Sequence, residues 1–219
     1  VVPAVKELIF KSDWSNNKFK ELTRYLTGLV CLIHDLDEKE GKQIIRHIIS
    51  SGCPHHIKSL LHSLSQFSQA DYKRYKVKEI DVLEHKELSA KCEIKPYLER
   101  WLEYVPKEDV REIVRILVVR PGDIDASGLY TPLLCKITLA WGNTFKPNSF
   151  LFRLLLFSIE HSFYHEIGHH VFRHTFGQYP IQEKEADSYA SIIMSKAHPQ
   201  IGRLVKLLRA IGLDTDKKA

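Results

Sequence analysis

His165-Glu166-Ile167-Gly168-His169 is the stretch of this 219-residue chain whose residue types and spacing could act together on one substrate. Residues four apart on a helix lie on one face, one turn above the other, so both imidazoles can reach a single ion. Neutral imidazole nitrogen suits zinc, at about 2.0–2.1 Å. Glu166 is rotated roughly a quarter-turn from His165. That puts it beside the ion rather than on it, where a base acting on activated water belongs. Gly168 removes a side chain where another element could pack closely.

A catalytic zinc site needs a third protein ligand and one position left for water. Glu183 and Asp187 stand four apart and share a helix face continued by Ala190 and Met194. Glu183 is therefore expected as third ligand, with one Zn2+ as the cofactor. Asp187 is expected to hydrogen-bond a ligating histidine and fix its tautomer. Glu185 is the rival ligand, but it points away from Asp187. A charged glutamate inside an apolar helix is costly without a compensating partner, which favours a metal reading over an accidental match. His161 reads as a solvated histidine near the same face. His170 and His174 read as lying on the opposite side of the helix, with a second site there the weaker reading. The metzincin pattern would need a histidine at Thr175, so it is excluded. An oxyanion stabiliser is also needed. Tyr130, Tyr179 and His198 are open candidates, whereas Tyr189 sits on the helix face away from Asp187.

These residues need elements to hold them. One helix is expected over Ser149 to His174, capped by Asn148 or Ser149, with Gly177 beyond its end. Its apolar residues surround the axis, so it should be central. The Glu183 helix follows a loop containing Gly177 and Pro180. Upstream, Ile116 to Val119 and Lys136 to Trp141 read as strands, with Asp125 to Tyr130 between them as a turn. Ile94 to Tyr104 reads as a helix. Residues 70–92 are polar and read as a boundary. Before them, residues 18–67 read as amphipathic helices, interrupted at Asp35 to Gly41 and at Ser51-Gly52, with a third beginning near Pro54. The expected fold class is α+β: an all-helical accessory module over 1–92 and a catalytic domain over 93–219.

Composition excludes several alternatives. Net charge is +5, with 44% hydrophobic and 27% charged residues. The densest basic run, Tyr72 to Lys78, interleaves aromatic and basic residues as nucleic-acid binders do. It leads straight into Glu79, Asp81 and Glu84, and so reads as a solvated helix face or linker. Cys31, Cys53, Cys92 and Cys135 are widely separated, which argues against a zinc ribbon or a disulfide scaffold and for a reducing, cytoplasmic setting. No apolar stretch reaches the roughly 18–20 residues that span a bilayer. Val1 at the start, with Met194 as the sole methionine, reads as a processed product or a part of a longer chain.

Taken together, His165 to His169 with Glu183-x-x-Ala186-Asp187 resembles the gluzincin metallopeptidases, in which a helix-borne glutamate completes an HExxH site. The pattern is most similar to the ImmA/IrrE-like group. Shared features are Gly128-Leu129-Tyr130 leading into an edge strand (here Lys136 to Trp141), HExGHH, and a Glu-x-x-Ala helix followed by Ala190. The resemblance covers about residues 110–195 and departs at Met194-Ser195, where Met-Pro often ends that helix. It implies a zincin-like domain that hydrolyses peptide bonds in a protein or peptide substrate, with Glu166 as general base. The edge strand is expected to bind extended substrate by strand addition. The N-terminal helices match no family pattern, and an intramolecular or partner contact is expected of them. The competing expectation is a catalytically silent zincin-fold module serving regulation or protein interaction.

Overall fold

The structure, a computed structural model, describes residues 2–12, 14, 20–53, 55–142, 149–175 and 179–200. The expectations that fall on Pro54, Asn148 and Gly177 lie outside them. The architecture is α+β, with helices packed on a mixed five-stranded sheet.

Helical periodicity builds the N-terminal layer from α1 (Val2–Lys11), α2 (Lys20–Leu36), α3 (Glu38–Ser50) and α4 (His55–Gln66). Ile9, Val30, Ile33, Ile44, Ile48 and Leu61 fill a core of their own. The expected break at 35–41 narrows to Asp37, whose carboxylate accepts the Glu40 N–H at 3.0 Å and caps α3. Helices α2 and α3 cross tightly at Gly41, where a Cβ would lie 2.4 Å from the His34 Cα.

The sheet comprises β1 (Tyr72–Val77), β2 (Ile80–His85), β3 (Arg115–Val119), β4 (Gly128–Thr131) and β5 (Lys136–Ala140), in the order β1-β2-β3-β5-β4. The β1–β2 and β4–β5 pairs are antiparallel; β2–β3 and β3–β5 are parallel.

Two expectations are corrected here. The stretch 70–92 is not a polar boundary, and 1–92 is not all helical. Residues 72–85 form a hairpin in the same sheet as β3, so the helical layer ends at Gln66. The hairpin escaped notice because β1 is an edge strand: Lys73, Arg74 and Lys76 are exposed, and such charges blunt an edge against further pairing. The basic–aromatic run is thus a strand, not a helix face or linker. The second correction concerns the opposite edge. Lys136 to Ala140 is an interior strand with Ile137, Thr138 and Leu139 buried, and the edge is β4, whose first three residues fall in the segment read as a turn.

Three helices, α5 (Lys86–Ser89), α6 (Lys95–Tyr104) and α7 (Lys107–Val110), connect β2 to β3; α8 (Phe150–Val171) and α9 (Pro180–Ala197) follow the sheet. The main core lies between one sheet face, with Val82, Ile116 and Leu139, and the helices α6, α8 and α9, with Trp101, Phe163 and Ile193. Ser149 caps α8 as expected, accepting the Phe152 N–H at 3.1 Å. From Ile159 onward α8 is largely enclosed, whereas its start exposes Phe150, Leu151 and Leu154. The helical layer is tied to the sheet where Asp35 meets Arg115 at 3.2 Å and Lys136 at 3.6 Å. Among the described residues, no helix is long and apolar enough to cross a membrane.

Candidate metal centre

Two helices bring the site together, and a glycine sets their separation. A Cβ on Gly168 would sit 2.9 Å from the Ala186 Cα and 3.0 Å from its carbonyl oxygen. The backbones of α8 and α9 therefore touch where Glu183 and Asp187 flank Ala186. Across this crossing, His165 Nε2 lies 3.2 Å from Glu183 Oε2 and His169 Nε2 lies 3.7 Å from Glu183 Oε1. The two Nε2 atoms are 3.0 Å apart. Ligand atoms around a tetrahedral ion at 2.0–2.1 Å stand about 3.3 Å from each other. The three separations bracket that value, so two imidazoles and a carboxylate fit zinc both in kind and in size. The side chains are 16%, 14% and 39% exposed, which leaves one side open to water or substrate.

Hydrogen bonding aims the first of these rings. His165 Nδ1 lies 2.8 Å from Asp187 Oδ1, the contact expected from the sequence. A carboxylate only accepts, so the ring proton belongs on Nδ1 and the Nε2 lone pair faces Glu183. Burial, assisted by the neighbouring His165, lowers the His169 pKa to about 4 and keeps that ring neutral. The bare His165 Nε2, the neutral His169 ring and the Glu183 carboxylate thus converge on one point and could together hold a metal ion.

Glu166 is 7% exposed, in the seam between α8 and β4. Its carboxylate takes the backbone N–H of Tyr130, and Gly128 makes room for it: a Cβ there would lie 2.7 Å from Oε1. Burial raises its pKa to about 7, against the opposing pull of His165 and the Tyr130 amide. A carboxyl group near neutrality can both take and return a proton.

The remaining sequence candidates are dispersed. The Tyr130 hydroxyl is engaged with His170 Nδ1 at 2.8 Å. Tyr179 is the N-cap residue of α9, half-exposed, and its carbonyl accepts the Glu183 N–H at 3.1 Å. His198 does not reach the site. It lies past the far end of α9, about 22 Å from Glu183 along the helix, with its Nε2 2.9 Å from buried Glu160. His170 and His174 do not pair either, because α8 ends at Val171 and the chain turns back. His174 instead meets His169, Nδ1 to Nδ1 at 2.8 Å, and Glu185 Oε2 at 2.9 Å. Glu185, the rival ligand, is spent on that contact. Sequence reasoning missed both residues, since the left-handed turn that redirects His174 falls on Arg173 (φ 56) rather than on a glycine.

Comparisons of the chain with protein-family models, with curated proteins and with solved structures gave no match.

Proposed function

We propose that this protein is a zinc-dependent peptidase of the HExxH–Glu type with a zincin-like catalytic domain. The observation that carries the reading is the convergence of His165, His169 and Glu183 from two helices, with Glu166 buried alongside. A zinc ion held by those three residues would supply Lewis-acid activation of a water and of the scissile carbonyl. Glu166 accepts the proton of the attacking water and returns it to the departing amine, with the Tyr130 N–H holding its carboxylate in place. The substrate is a protein or peptide in extended form. Strand β4, the sheet edge beside Glu166, offers backbone groups for it to pair with antiparallel or parallel. Four free cysteines support a reducing, cytoplasmic setting.

The competing reading, a metal-bearing interaction module without catalysis, draws on the occupied state of two oxyanion candidates: Tyr130 is engaged by His170 and His198 by Glu160. Cleavage of an unfolded protein, measured with and without chelator alongside zinc content, separates the two. Glu166→Gln should keep the metal and lose about 100-fold or more of the cleavage rate. Full activity in that variant, with zinc bound, would remove Glu166 from the chemistry.

A further inference from the structure

His174 and Glu185 lie outside the ligand triangle, yet both are built toward it. Helix α8 ends with the Arg173 N–H on the His170 carbonyl at 3.1 Å and the His174 N–H on the His169 carbonyl at 3.0 Å. This pair of reverse bonds is the Schellman turn, whose left-handed position is normally glycine. Here Arg173 occupies it at φ 56, a conformation that opposes an L side chain. Strain of this kind is kept where the surrounding structure needs it.

The turn accomplishes one thing for the site: it folds His174 back against His169, with ring centroids 5.0 Å apart. His174 is 6% exposed and stacks on Phe172 at 5.7 Å. Its Nε2 lies 2.9 Å from Glu185 Oε2, and its Nδ1 lies 2.8 Å from His169 Nδ1. The proton positions follow from the far end. Glu185 only accepts, so His174 carries its proton on Nε2. A neutral His174 then presents a lone pair at Nδ1. The partner hydrogen must come from His169 Nδ1, which leaves His169 Nε2 bare and turned toward Glu183.

We propose that His174 and Glu185 form a positioning relay that fixes the tautomer and ring plane of His169, readying its Nε2 for a divalent metal. The relay does for His169 what Asp187 does directly for His165, and it rests on the metal-site reading above. Outer contacts of this kind typically change metal affinity by about 10- to 100-fold.

The test uses the full chain with His174→Phe, His174→Asn and Glu185→Ala. Phenylalanine keeps the ring volume and offers no acceptor, whereas asparagine places an amide oxygen where Nδ1 stood. Imidazole nitrogen-15 NMR of the zinc-free protein should show His169 protonated on Nδ1 in the wild type. His174→Phe should lose that tautomer, with His165 unchanged. Zinc dissociation constants from chelator competition should weaken about 10- to 100-fold in His174→Phe and less in Glu185→Ala, where water can replace the half-exposed carboxylate. His174→Asn should recover most of the affinity. A wild type protonated on His169 Nε2, or unchanged zinc affinity in folded His174→Phe, overturns the relay. The wild-type NMR decides even where a variant does not fold. A wild type with the expected tautomer that takes up no zinc overturns the metal reading alone.

Discussion

Replacing Gly168 with alanine tests how the site is positioned. The new Cβ would stand 2.9 Å from the Ala186 Cα, 3.0 Å from its carbonyl oxygen and 3.2 Å from the Tyr189 Cβ. Unstrained carbon contacts need about 3.5–4.0 Å, so α8 and α9 must part by roughly 0.5–1 Å. Two of the three obstructing atoms are backbone and cannot swing aside. Overpacking costs about 1–3 kcal/mol. Alanine returns about 1 kcal/mol as the better helix former. The net loss of stability is therefore modest, about 0–2 kcal/mol. Metal binding should suffer more. Glu183 lies one turn before Ala186, and a shift of that size exceeds the tolerance of about 0.2 Å for metal–ligand distances. Zinc affinity should fall at least about tenfold, or about 1.4 kcal/mol. The assay is chelator competition paired with thermal unfolding. Gly142→Ala is the control, because the three nearest atoms to its Cβ would be side-chain carbons of Leu155, at 3.1–3.7 Å. An unchanged zinc dissociation constant in folded Gly168→Ala would refute the claim that this crossing places Glu183.

Gly128→Ala should displace the Glu166 side chain, whose Oε1 and Cγ would stand 2.7 and 2.8 Å from the new Cβ, and cut turnover about tenfold or more with zinc still bound; equal turnover would mean that the base does not work from this position. Gly41→Ala should cost about 1–3 kcal/mol by forcing α2 and α3 apart, without altering zinc affinity, since that crossing shares no residue with the ligands; differential unfolding and the same chelator competition check both halves. His34 is fully buried, with neither ring nitrogen hydrogen-bonded among the described residues, and burial lowers its pKa despite the opposing charges of Glu38 and Asp35. The unfolded chain thus takes up a proton near pH 6.5 that the folded one refuses, so stability is complete above that pH and falls as pH drops below it. His34→Leu should flatten the acid-side slope of the unfolding free energy; an unaltered slope would place the sensitivity elsewhere.

What the sequence disclosed depends on how local each signal is. The i, i+4 spacings of His165 with His169 and of Glu183 with Asp187 fix side-chain faces without tertiary information, and the Ser149 cap is read within one turn. The edge strands were harder. Charges that protect β1 from pairing also disguise it as solvated surface, and β4 has only four residues, opening on a glycine whose reason is Glu166, far along the chain. His174 was misplaced because a helix was extended through Arg173, a residue that gives no hint of a left-handed turn. His198 was drawn to the metal by residue type, when its partner is Glu160, buried on another helix.

Zinc K-edge absorption on the full chain is the most direct test of three side chains meeting at one ion. The account predicts one zinc per chain, coordinated by two imidazole nitrogens and by oxygen at about 2.0–2.1 Å, with the signal lost in His169→Ala and altered in Glu183→Ala. A chain that retains no zinc, or one whose zinc shows thiolate sulfur at about 2.3 Å, would contradict it.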